Sequence, residues 1–389
     1  MTRPRKLWRW LWFALLTLLA VGLVIRAWVI PTLIVRQIEG RYEGRATIRD
    51  WWLNSHSAGL VGLVLYEDRS ARSPIWVQAD QIEADLSLGQ VLRGDVMPRR
   101  VVVREPRLAF RIDRNGALLT LPRFKSSGPT NAPLPDVVIE DAQLVFRQED
   151  RPEMVVSKVD AELTPEPGGR GGVRITAKAD DPIRGHFDAS GALGSSFRTG
   201  TFELVGKRVA ASPSSVTSIP FVSESVWKYV LPTGPVDVRL SIELTGDTQQ
   251  PARIHTVVGF QHTTVEMPSL GLISLDSVGV LTVNGGVVKL DHIHGRILDG
   301  PVVLTGLFDF SRSPSRIDLG VDLERVDVSH TPPGWQLGIL DATGRLTGHA
   351  HLVVALVDSG PDFTRSWGWG DVAEATLQGT DSRKTDQIS

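Results

Sequence analysis

The sequence predicts a mainly β protein behind one N-terminal transmembrane helix, with a short helical insertion in the sheet. Three observations carry this expectation. Residues 7–34 form one basic-flanked apolar segment. Val236, Val238, Leu240, Ile242 and Leu244 alternate with Asp237, Arg239, Ser241 and Glu243, which sends aliphatic side chains to one sheet face and polar ones to the other. Comparable segments recur every 10–15 residues or so, separated by Gly or Pro, without an exact sequence repeat.

The apolar segment comes first. Residues 11–25 carry no charge, and residues 7–25 contain only Arg9, near one edge. A spanning helix needs ~20 apolar residues, so a span ending near Ile25, or one slid toward Ile34 with Arg26 snorkelling, satisfies the requirement. Trp8, Trp10, Trp12 and Trp28 stand near its two ends as an interfacial belt. Arg3, Arg5, Lys6 and Arg9 keep residues 1–9 in the cytoplasm and export the remainder. A cleaved signal peptide is the rival, but Val24-Ile25-Arg26-Ala27 places Ile and Arg where a cleavage site needs small residues. The anchor is therefore assigned to residues 10–35. Ile34, Ile38 and Tyr42 extend a helical stripe that Gly40 and Gly44 end.

Residues 46–124 form a first β module, with strands at 60–66, 75–79, 82–88, 100–104 and 108–113 and a helical turn at 86–94. Asn115-Gly116 marks a tight hairpin, because a type I′ turn needs positive φ at both central positions. Residues 125–136, rich in Ser, Pro and Gly, read as a linker. A β segment follows at 137–210, with strands at 137–139, 143–147, 155–163, 173–179, 186–193 and 201–205. Residues 212–234 lose the period of two. Val222, Val226, Tyr229 and Val230 recur at helical spacing, Ser212-Pro213 caps the start, and Pro232 and Gly234 end the insertion. Strands resume across 235–360, at 236–244, 254–260, 278–283, 287–291, 302–310, 317–328 and 349–357, with Asn284-Gly285-Gly286 as a hairpin turn. Residues 361–389 read as a polar tail.

Composition narrows the function. At 42% hydrophobic and 22% charged, the 389-residue chain is globular. Without its four N-terminal cations it holds 38 basic against 44 acidic residues, which argues against a nucleic-acid partner. The absence of cysteine removes disulfides, thiolate metal sites and cysteine nucleophiles. His292 and His294, like His349 and His351, stand two apart, but two-ligand pairs without a third partner are common on polar strand faces. Asp180 and Asp181 are adjacent and point to opposite faces, an awkward arrangement for a general acid and base. Gly168-Gly169-Arg170-Gly171-Gly172 opens no helix and reads as a flexible loop. No catalytic, metal or cofactor residues are assigned, and no enzymatic activity or cofactor is expected.

In its order of elements the chain resembles the bacterial AsmA-like and TamB-like envelope proteins, of the repeating-β-groove lipid-transfer group. The resemblance runs over most of residues 7–357. It rests on Gly62-Leu63-Val64-Leu65-Tyr66, then Ala79-Asp80-Gln81-Ile82-Glu83-Ala84-Asp85-Leu86-Ser87-Leu88 and Val91-Leu92-Arg93-Gly94. The module closes with Val101-Val102-Val103-Arg104-Glu105-Pro106-Arg107-Leu108 and Asp113-Arg114-Asn115-Gly116. Further support comes from 227–237 and from Leu290-Asp291-His292-Ile293-His294-Gly295 leading to Asp299-Gly300. Leu118-Leu119-Thr120 departs from the family's habit after the turn, and the large transport members are far longer.

The resemblance implies an elongated antiparallel sheet curled into an open apolar groove. It also implies an inner-membrane anchor, a periplasmic body and phospholipid acyl chains as cargo. Val236, Val238, Leu240, Ile242 and Leu244 are the expected groove lining. Alternation alone serves equally well for an ordinary sandwich covered by a second sheet. A scaffold or assembly role in envelope biogenesis is the alternative. Whichever role holds, the uncovered sheet end after Val357 is expected to dock another chain or a second copy, with Trp367 and Trp369 as the contacts.

Overall fold

The structure, a computed structural model, describes residues 30–93, 97–114, 118–120, 134–166, 172–195, 199–220, 230–247, 252–268, 271–330, 340–357, 360–362 and 364–379. Several expectations lie outside those residues. They are the anchor up to residue 29, the Asn115-Gly116 turn, linker residues 125–133, Gly168 to Gly171, and Val222, Val226 and Tyr229 of the insertion. Among the described residues no helix is long and apolar enough to cross a membrane. The chain is mainly β, a large mixed sheet with few helices. It divides into two compact units, one of Met1–Ile112, Leu118–Arg147 and Val155–Val173, the other of Asp113–Ala117, Gln148–Met154 and Arg174–Ser389.

Among the described residues the first unit opens with helix α1, Ile30–Arg41. Its Ile34 and Ile38 are half-buried while Leu33 is exposed, so the predicted stripe forms and delivers Tyr42 to the core. The Tyr42 hydroxyl donates to the Tyr66 carbonyl and accepts from Trp76 Nε1 at 2.5 Å. Burial pushes the pKa of this hydroxyl up. Strands β1 (Ala46–Thr47) and β2 (Asp50–Leu53) both pair with β3 (Ala58–Tyr66). Strand β4, Ile75–Ala84, fuses two predicted strands and pairs with β3 along its length. Helix α2, Leu88–Leu92, starts at Ser87, which forms a reciprocal capping box with Gln90.

Beyond α2, β5 (Arg100–Arg104) and β6 (Arg107–Ile112) share β4, one pairing with each half. Strands β7 (Asp136–Gln148) and β8 (Met154–Pro165) complete the series. β7 joins the expected strands 137–139 and 143–147, and Asp141 with φ of 55° lies at the break between them. β5 and β7 run parallel, Val101 beside Val137 and Val103 beside Ile139, which corrects the expectation of a purely antiparallel sheet. A parallel pair needs a long connection to bring the chain back to the same end, and residues 105–135 supply it. Ile112, Ala142 and Val145 are almost completely buried, and Phe110 stacks on Phe146 with centroids 5.3 Å apart. Glu67 receives Arg111 through two hydrogen bonds, at 2.9 and 2.5 Å, and the buried Thr120 hydroxyl at 2.7 Å.

The second unit is an antiparallel meander. Its strands are β9 (Val173–Asp181), β10 (Gly185–Leu193), β11 (Thr199–Ala211), β12 (Leu231–Thr245), β13 (Ala252–Met267) and β14 (Leu272–Asn284). They continue as β15 (Val287–Ile297), β16 (Gly300–Asp309), β17 (Ser315–Asp327) and β18 (Leu340–Val357). From β9 to β18 each strand pairs with the next. The Asn284-Gly285-Gly286 turn forms as expected, with φ of 55° and 84° at the two glycines. Leu298 and Asp299 adopt the same left-handed geometry between β15 and β16. Helix α3, Pro213–Thr217, follows β11, and the expected Ser212 cap is a capping box with Ser215. The strand after the insertion begins at Leu231, five residues before the expected start.

The sheet also runs past Val357, where the sequence reading ended it. β19 (Gly360–Asp362) and β20 (Trp367–Gly379) both pair with β18, so the segment read as a polar tail contributes an edge strand.

Five long strands of this unit are broken in register at a non-glycine residue in the left-handed region. Arg208 in β11, His262 in β13, Asp276 in β14, His292 in β15 and Arg325 in β17 have φ between 44° and 58°. Each coincides with a shift in strand pairing. An inserted residue of this kind reverses which side chains face the core and sharpens the local twist. In β15 the inward positions change from Val288 and Leu290 to Ile293 and Ile297.

Candidate functional site

Register places the five expected lining residues in cross-strand rows. Leu240 faces Leu204 on one side and Thr256 on the other. That row runs on through Val283, Val288, Phe308 and Ile317 to Val354. Val238 lies in a second row, from Phe187 and Gly206 through Val258, Leu281 and Leu290 to Gly306, Leu319 and Leu352. Both rows cross the nine strands β10 to β18. At ~4.8 Å per strand spacing each is roughly 40 Å long. Ile242 sits between Phe202 and Ile254, Leu244 between Gly200 and Ala252, and Val236 between Val209 and Phe260.

The rows differ in burial. Val236 is 5% exposed and belongs to a closed cluster with Val209, Phe260, Val265, Ile293 and Val216 of α3. Val238, Leu240, Ile242 and Leu244 are only half-buried, as are Leu204, Val258, Leu281 and Leu290. Thus the five residues share a face but divide into one that is shut under α3 and four that keep partial access to solvent.

The opposite face of β12 is solvated and ion-paired. Arg239 meets Glu203 at 3.3 Å and Glu243 meets Arg253 at 3.5 Å, with side chains largely exposed. Gln261 Nε2 donates to Asp237 at 2.8 Å. Exposed pairs of this kind contribute ~0–1 kcal/mol each, so they keep the face wet without fixing the fold.

The chemistry-bearing residues singled out by sequence fall as follows. His292 occupies the β15 irregularity and approaches Asp291 at 2.9 Å, so the simple alternation that would align it with His294 is broken. Asp181 is buried and holds Arg184 at 3.2 Å, whereas Asp180 is exposed and holds His186 at 2.7 Å. Among the described residues no group of three or more His, Asp and Glu side chains converges as a metal site would. His349 and His351 each meet a carboxylate of β17, Asp322 and Asp318, at 2.7 Å. Sequence reasoning noted the histidines but not these partners, because the pairing depends on the β17–β18 register.

The hydrogen bond with His351 holds the Asp318 carboxyl below its ordinary range, helped by the charges of His351 and Arg316. A depressed carboxylate adds stability that is present above its unfolded pKa, near ~3.9, and lost as pH falls through the lowered value. His351→Phe is therefore expected to reduce the drop in melting temperature between about pH 5 and pH 2. An unchanged acid profile in that variant would show the pair to be inert.

No protein-family model matches the chain, and no curated protein matches it.

Proposed function

We propose that this is an inner-membrane-anchored, non-enzymatic protein whose exported β body carries lipid acyl chains along the apolar face of its second unit. Phospholipid transport or envelope lipid homeostasis is the role. What carries the reading is the pair of nine-strand rows whose central residues, Val238 and Leu240 among them, stay half-buried. Residues facing a second sheet across a packed core lose nearly all their exposure; Val238 and Leu240 do not, while Val288, Leu319 and Val354 further along the rows are buried. An acyl chain laid on such a face gains ~0.8 kcal/mol per CH₂ removed from water. The wet, ion-paired opposite face suits a body surrounded by the aqueous periplasm. The elongated, curled groove of the AsmA-like resemblance is the finer form of the same proposal.

Two measurements test it. Native mass spectrometry after gentle extraction is expected to find phospholipid retained by the full chain, and a lipid-free protein would count against the proposal. An alkaline phosphatase fused after Gly89 is expected to be active, since the basic N-terminus stays in the cytoplasm. A silent phosphatase with an active cytoplasmic reporter at the same point would reverse the topology.

The scaffold alternative draws on β20. Among the described residues it exchanges ladder bonds with β18 alone, and residues 367–374 are all exposed. A stable protein partner bound to a lipid-free preparation is the outcome that would favour it.

A further inference from the structure

Trp367 and Trp369 project from the polar face of β20, 55% and 67% exposed. Indoles normally bury most of their surface, so two neighbouring ones standing in water point to an occupant. They are part of a continuous aromatic surface. The His349 ring lies 5.6 Å from Trp367 and 6.5 Å from Trp369, and the His351 ring lies 5.5 Å from Trp367, centroid to centroid.

The rings are held from β17. His349 Nδ1 is 2.7 Å from Asp322 Oδ1, and His351 Nε2 is 2.7 Å from Asp318 Oδ1. Arg316 donates to the second Asp318 oxygen at 2.9 Å. Gly320 stands between the two aspartates and opposite His351 in the ladder, so no side chain rises from the floor there. The surface thus combines two exposed indoles with planar hydrogen-bonding groups fixed in place by one another.

Charge and shape select the ligand class. Asp318 and Asp322 each already bond an imidazole, and Arg316 is already paired with Asp318, so these groups hold one another in place and offer an anion no unpaired guanidinium. The face around the indoles is mainly polar, with Arg316, Asp318, Asp322, Thr347, His349 and His351. Its aliphatic members Val353, Val303 and Leu307 lie beyond the histidines and aspartates, which suits a ligand with polar groups better than an apolar protein surface. A pyranose ring fits both features. Its C–H face stacks on an indole while its hydroxyls bond carboxylate and imidazole atoms at the rim. We propose that this face binds a neutral saccharide chain, with neighbouring sugar rings on Trp367 and Trp369, which stand roughly 6.6 Å apart along the strand. This site is separate from the apolar face and does not depend on lipid carriage.

The test is saturation-transfer NMR on the full chain in a detergent lacking a sugar headgroup, with chitotetraose and cellotetraose as probes. The wild-type chain is expected to transfer saturation to at least one of them. Trp367→Ala/Trp369→Ala is expected to weaken binding at least tenfold, and Asp322→Asn several-fold, with unchanged melting because these side chains lie outside the core. No transfer to either tetrasaccharide, or equal binding by the double variant, overturns the proposal. It is also overturned if the double substitution abolishes only self-association, or only binding to phosphatidylcholine vesicles.

Discussion

Replacing Leu240 by Asp is expected to destabilise the second unit by about 2 kcal/mol or more and to strip bound lipid, because it places a carboxylate in the middle of an apolar row. Leu240 lies between Leu204 and Thr256, half-buried, with Val238 and Ile242 on either side along the strand. Its neighbour makes the control. Arg239 points the other way, toward Glu203 and solvent. Arg239→Asp exchanges an exposed ion pair for a like-charge contact and is expected to stay within about 1 kcal/mol of the parent. Limited proteolysis of the full chain across a urea series reads both. Equal sensitivity at the two positions would mean that the sheet does not have one dry and one wet face.

Phe260→Ala is expected to cost about 3–5 kcal/mol, the range for truncating a well-packed phenylalanine. Phe260 is 4% exposed at the closed end of the face, packed among Val209, Val236 and Ile293. Its ladder neighbour on β14 is Gly279, whose missing side chain leaves room for Ile293 of the same cluster. A Cβ at Gly279 would lie 2.8 Å from Ile293 Cα, and its φ of 149° also resists substitution. Phe260→Leu should recover most of the loss, since it refills much of the volume. If Phe260→Ala unfolded no more readily than Arg239→Asp, the closed cluster would not be what anchors the face.

How far the sequence could be read follows from the left-handed residues. In β13 the inward positions are Ile254, Thr256, Val258 and Phe260, then Thr263 and Val265 after His262. In β17 they are Ile317, Leu319 and Val321, then Val326 after Arg325. A period-of-two reading follows one phase, so the expected β13 stops at Phe260 and the expected β14 lacks its first six residues, whereas the expected strand 317–328 runs through the reversal at Arg325 on residual apolar content. The apolar face was therefore legible in the uninterrupted stretches, including all five positions from Val236 to Leu244. Edge strand β20 escaped notice for another reason. Its inward positions include Gly368 and Gly370, opposite Ala350 and Gly348, and glycines carry no hydrophobic signal. The parallel β5–β7 pair was invisible because sequence patterning reports which faces are apolar, not which strands are neighbours. The carboxylate partners of His349 and His351 were hidden for the same reason.

Lipid carriage on the apolar face is tested most directly by a photo-crosslinking amino acid placed at position 240 and, separately, at position 239 of the full chain in living cells. After irradiation, mass spectrometry should find phospholipid adducts at position 240 and essentially none at 239. Equal adducts at both positions, or only protein–protein adducts at 240, would contradict an acyl chain lying on the Val238–Leu240–Ile242 face.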